Sequence, residues 1–77
     1  MTMQEEIRRR RRAMGMTQTD LAHSVGVGLA TVSRWEQGLH DPKLHQLKAL
    51  AKVFGVSELD LMYPKGEGEV SQLSLAI

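Results

Sequence analysis

The chain has no cysteine, which excludes disulfide bonds and thiolate metal sites and leaves packing to hold the fold. No apolar run approaches the roughly 20 residues of a membrane span. The opening segment, MTMQEE, lacks the apolar stretch of a signal peptide. The expectation is a cytoplasmic protein with no membrane partner. Length is the next shortage. The chain has 77 residues, room for one core, and a chain this short buries only about 60% of the surface it exposes when unfolded. A deep catalytic cleft is not expected, and dimerisation is a natural way to add buried area. A strong charge of one sign is also missing. Residues 1–38 hold six arginines against four acids and residues 39–77 hold four lysines against five, so +2 and −1 sum to the net +1. That mild asymmetry permits a nucleic-acid face without establishing one.

What is present reads as helices. Met3, Ile7 and Met14 recur on one face of a first helix over 3–14, which Gly15 ends. Thr17 stands three residues before Asp20, a capping-box spacing that starts a second helix over 18–25 with Leu21, Ala22 and Val25 inward. Gly26, Val27 and Gly28 break it. A third helix follows over 29–37 with Val32 and Trp35 inward, and Gly38 stops it. Asp41 and Pro42 suggest a cap and first position for a fourth helix, along which Leu44, Leu47, Ala51 and Phe54 face the core up to Gly55. Ser57 and Asp60 repeat the capping spacing for a short fifth helix to about Tyr63 that carries Leu59, Leu61 and Met62, and Pro64 forbids its extension. The fold class expected is all-α, with five helices in a domain over 1–64. Residues 65–77 then read as a glycine-rich connector and a tail in which Leu73, Leu75 and Ile77 alternate with small residues. That tail is either a dimerisation strand or a frayed end.

Helices two and three are separated by three residues containing two glycines, which favours a sharp crossing over an antiparallel hairpin and hence a helix-turn-helix. TQTDLA at 17–22, VGV at 25–27, TVSRWEQG at 31–38, Pro42 and LAKVFGVS at 50–57 together resemble the Cro/repressor-type, or xenobiotic-response-element, helix-turn-helix family over residues 5–63. The resemblance implies a transcriptional regulator, most often a repressor, that binds double-stranded DNA as a homodimer on an operator with twofold symmetry.

Carried over position by position, the resemblance puts Leu29, Ala30 and Arg34 at outward, base-reading positions of the third helix. Arginine there suits guanine O6 and N7, and the two apolar side chains suit thymine methyls. Ser33 is suited to a base edge or a phosphate and Thr31 to a phosphate. Thr17 and Gln18, at the start of the second helix, and Lys43, before the fourth, are the other expected phosphate contacts. Gly28 stands where the family usually has serine or threonine, so only its backbone amide is available to a phosphate. Plainer readings stand beside these: Leu29 covering core, Ala30 as a helix former, Arg34 as a solvated charge, Thr31 and Ser33 as small surface residues.

Arg8 to Arg12 could be read as a localisation signal or a basic patch, but five consecutive helical residues surround the axis and cannot all face water. At least one guanidinium needs an inward partner. The resemblance supplies it, pairing Arg11 with Glu36 in a structural ion pair. It also implies that Arg10 packs its stem and turns its head to water. Arg8, Arg9 and Arg12 are left to the surface or to phosphates. Enzymatic function is not expected: His23, His40 and His45 have no nucleophile or carboxylate partner at a recognisable spacing, and His40 and His45, one of them in a loop, fall short of the three or four ligands a metal site usually needs. No cofactor or small-molecule ligand is implied. The competing class is a protein-interaction module, antitoxin-like or coactivator-like, on the same fold.

Overall fold

The computed structural model describes residues 2–64, which form five helices and no strand. The expected strand over 70–77 and the connector before it lie outside the described residues.

Helix α1, Met3–Ala13, begins with a capping box absent from the sequence reading: Thr2 Oγ1 accepts from the Glu5 N–H at 3.3 Å and Glu5 Oε1 accepts from the Thr2 N–H at 2.8 Å. Helix α2, Gln18–Val25, starts on the box formed by Thr17 and Asp20, with reciprocal distances of 2.9 and 3.0 Å. Gly26 closes α2 at φ 85°, the left-handed conformation that a side chain disfavours, and its N–H donates to the Ala22 carbonyl. Gly28, by contrast, is extended and serves as the cap of α3, Leu29–Gln37. Of the two turn glycines only Gly26 is therefore required by backbone conformation. Helix α4 spans Leu44–Phe54 and α5 spans Glu58–Met62, the latter capped by Ser57 and Asp60.

The core collects Ile7 from α1, Leu21 and Ala22 from α2, Val32 and Trp35 from α3, Leu47, Leu50 and Ala51 from α4, and Leu61 from α5. Spacings of three and four put each helix's members on one stripe, and the stripes converge as α3 packs against α1 and α2 while α4 packs against α2 and α5. α3 is therefore gripped along one side by two helices and presents its other side outward.

Three expectations need correcting. Met14 does not extend the inner face of α1: it is the C-cap, outside helical geometry, and 52% exposed. Helix α4 starts at Leu44, not at Pro42, because the Gln46 side chain accepts from the Lys43 N–H at 2.8 Å and sets the cap at Lys43. Leu44 consequently points to solvent, and Leu50 takes the core position. In α5 only Leu61 is buried, because five residues present a single inward position. Leu59, Met62 and Tyr63 face out.

Candidate nucleic-acid interface

A helix turns about 100° per residue, which places Val32, Trp35 and Glu36 on one arc of α3 and Leu29, Ala30, Ser33, Arg34 and Gln37 on the opposite one. The first three are buried. On the other arc Leu29 is 49% exposed, Ala30, Arg34 and Gln37 are exposed, and Ser33 is half-buried. The base-reading candidates thus share one outward face, and Leu29 is not a core residue. Gln37, which sequence reasoning passed over, also lies on this face and donates through Nε2 to Ser33 Oγ at 2.9 Å.

The inward side of α3 is held by Glu36, whose carboxylate is buried where three helices meet. Arg11 of α1 grips it with two hydrogen bonds, Nε to Oε2 at 2.7 Å and Nη2 to Oε1 at 3.0 Å, and also donates through Nη1 to the Met16 carbonyl at 2.8 Å. Gln18 of α2 donates through Nε2 to Glu36 Oε1 at 3.0 Å. Arg8 donates through Nη2 to the Glu36 backbone carbonyl at 2.7 Å, and its Nε lies 3.7 Å from Glu36 Oε1. Burial alone would raise the Glu36 carboxyl. Hydrogen bonds from Arg11 and Gln18 and the charges of Arg11 and Arg8 outweigh it and hold the group below the ordinary glutamate value of 4.5.

A second buried acid, Glu6, accounts for Arg9 and Arg10. Arg9 donates to it through Nη2 at 2.7 Å, and Arg10 donates to it through Nε. The Arg10 head is thus held on the protein and does not turn to water as expected. Arg8 and Arg9 are likewise engaged by acids, and Arg12 alone of the five has no carboxylate within 4.0 Å among the described residues. Glu6 is three and four residues before Arg9 and Arg10, a legible pairing that attention to the arginines alone overlooked.

Thr17 is exposed beside the half-buried Gln18 at the start of α2, and Gln18 is partly committed to Glu36. Gly28 is exposed, and a Cβ there would meet nothing within 4 Å, so nothing in the protein itself demands glycine. A cleft of about 210 Å³ opens between α3 and the approach to α4, lined by Thr31, Arg34, Trp35, His40, Asp41, Lys43 and Gln46. It brings Thr31, Arg34 and Lys43 into one lining, with Asp41 among them. No group of His, Cys, Asp or Glu among the described residues is placed to hold a metal ion, and no described helix is long and apolar enough to cross a membrane.

Two short helices joined at a left-handed glycine, the second locked from behind and open in front, define a helix-turn-helix DNA-binding domain. A helix-turn-helix family model matches residues 7–61. The chain belongs to this family, in its Cro/repressor form, a class of DNA-binding transcription regulators and not of enzymes. An HTH-type transcriptional regulator of Methanocaldococcus jannaschii, itself uncharacterized, is 36% identical over 59 residues, 77% of this chain and 89% of that one. The P22 c2 repressor, solved in complex with a synthetic operator, matches with a TM-score of 0.81 at 32% identity, over 84% of this chain and 98% of that one. Hydroxypropylphosphonic acid epoxidase from S. wedmorenis matches with a TM-score of 0.71 at 34% identity, but over only 34% of its own length. The likeness there is to one part of a larger enzyme.

Replacing Glu36 by glutamine leaves the buried Arg11 guanidinium without its counter-charge, a loss on the order of 3–5 kcal/mol. We expect melting to fall by at least ~10 °C at neutral pH, whereas Arg34→Ala, on the free face, shifts it by only a few degrees. A folded-state pKa below 4.5 means that the stabilisation is complete above that value and is lost as pH falls through the lower folded pKa. The gap between wild type and Glu36→Gln should therefore narrow below about pH 4.5 in a thermal series. Equal melting of the two proteins at pH 7 contradicts this role for Glu36.

Proposed function

We propose that the chain is a repressor that inserts α3 into the major groove and reads an inverted-repeat operator as a homodimer in the cytoplasm. The observation that carries this is the one-sided exposure of α3, with Leu29, Ala30, Ser33 and Arg34 outward and Glu36 anchored behind them. Arg34 donates two hydrogen bonds to guanine, Leu29 and Ala30 meet thymine methyls, and Ser33 meets a base edge. Phosphates lie along Thr17, Gln18 and the Gly28 amide on one side of the groove and along Thr31 and Lys43 on the other. Gln18 serves there with the amide hydrogen that Glu36 does not take. The cleft beside Arg34 suits such a phosphate, since Arg34 and Lys43 line it against the single carboxylate of Asp41. The similarity to a repressor solved on its operator supports the same docking.

Homodimerisation is supported by the exposed Leu59, Met62 and Tyr63, which are apolar surface with no partner helix in the described chain. They lead directly into the tail whose alternating Leu73, Leu75 and Ile77 suit strand addition to a second copy.

The binding test is a gel-shift salt series on an operator-like duplex. We expect log affinity to fall linearly with log salt, with a slope of about −0.9 for each phosphate neutralised. Lys43→Ala should flatten that slope by about one for every copy of the chain bound. Arg34→Ala should cost roughly 1–3 kcal/mol for the preferred sequence and little for others. Binding that is absent or insensitive to salt contradicts the proposal and favours a protein-interaction module. For assembly, sedimentation of a chain ending at Gly66 should give a monomer, and a persistent dimer removes the tail from the interface.

A further inference from the structure

The outward face of α3 holds one group to which no role has been given. At about 100° per residue, Gln37 falls roughly 80° around the axis from Leu29, between Ser33 at about 40° and Ala30 at about 100°, so it shares the direction of the reading face at the C-terminal end of α3. It is exposed, unlike its neighbour Glu36. Its side chain is not simply solvated: Nε2 donates to Ser33 Oγ one turn back, at 2.9 Å. A hydrogen bond on an exposed helix surface competes with water and adds little stability. What it does is choose a direction for a side chain that otherwise samples many rotamers.

The donor inventory makes that direction informative. A glutamine amide has two N–H donors and a carbonyl oxygen with two lone pairs. One of those N–H groups lies on the same edge as Oε1 and the other points away, and the bond to Ser33 occupies just one of the two. That edge is complementary to adenine, whose N7 accepts and whose N6 amino group donates in the major groove. Ser33, having accepted, keeps its own O–H to donate. Backbone chemistry is a poorer match, since a phosphate offers only acceptors and leaves Oε1 without a partner.

We propose that Gln37, held by Ser33, is a specificity-determining residue that reads an adenine. The inference rests on the DNA-reading role of α3 given above. Gln37 lies three residues, about 4.5 Å along the axis, beyond Arg34. Base pairs stack at about 3.4 Å. The adenine is therefore expected in the same half-site as the guanine read by Arg34.

The test is selection from a randomised duplex library by the full chain, comparing wild type with Gln37→Ala, Gln37→Glu and Ser33→Ala, each checked for unchanged melting. Wild type should enrich an adenine in each half-site near a guanine. Gln37→Ala should lower the preference for that adenine roughly tenfold and leave other positions intact. Gln37→Glu should move the preference to cytosine, whose N4 amino group donates to a carboxylate. Loss of the Ser33 tether should weaken the same position by a smaller factor. If Gln37→Ala enriches the wild-type sequences unchanged, or weakens all sequences equally, the inference is overturned while the DNA-reading role stands. If wild type enriches no sequence, that role fails and the inference fails with it.

Discussion

One buried carboxylate orders this domain. Glu36 accepts from Arg11 on α1 and Gln18 on α2 while standing on α3, so one side chain fixes three helices against one another. Arg8 adds a hydrogen bond to the Glu36 carbonyl, close to the end of α3, where the intrahelical ladder runs out of donors. Desolvating two charges costs about what their attraction returns, so such a pair is weak as a source of net stability. Its consequence is geometric. Trp35 and Val32 supply burial that a helix can satisfy at several rotations, whereas a carboxylate gripped through Nε and Nη2 of one guanidinium is satisfied at one.

The fixed rotation decides what the front of α3 offers to DNA. Its stripe mixes two apolar side chains, a hydroxyl, a guanidinium and an amide. A reader of that kind relies on one arginine, on methyl contacts and on the local shape of the duplex more than on a network of amides. The same rotation places Arg34 in the lining of the cleft that it shares with Thr31 and Lys43, so backbone and base contacts are set by one constraint. The arginine run has a corresponding logic: Arg8 and Arg11 tie α1 to Glu36 on α3, while Arg9 and Arg10 pair with Glu6 within α1.

Much of this was legible in the sequence because local rules and burial agreed. The Thr17 and Ser57 caps, the stops at Gly26, Gly38 and Gly55, and the stripe of Leu21, Ala22, Val32 and Trp35 follow from spacing alone. Reading failed where a nearby polar side chain, and not the apolar pattern, decided the outcome. Pro42 is a reasonable helix start until Gln46 claims the Lys43 amide, and Met14 belongs to the inner face only if the helix reaches it. Glu6 and Gln37 were missed for a related reason: each is identified by what it bonds, and a pattern of apolar residues contains no trace of that. The pairing of Arg11 with Glu36 came from family likeness, since a separation of 25 positions carries no local signal.

Glu36 can aim the domain at an operator only if α3 is the surface that meets DNA. The most direct measurement is an amide chemical-shift map of the isotope-labelled full chain titrated with an operator-like duplex at moderate salt. The expected result is a set of large shifts confined to the amides of residues 28–37, Thr17, Gln18 and Lys43, with α1 and α5 little changed. Shifts centred on α5 with α3 silent would contradict the account.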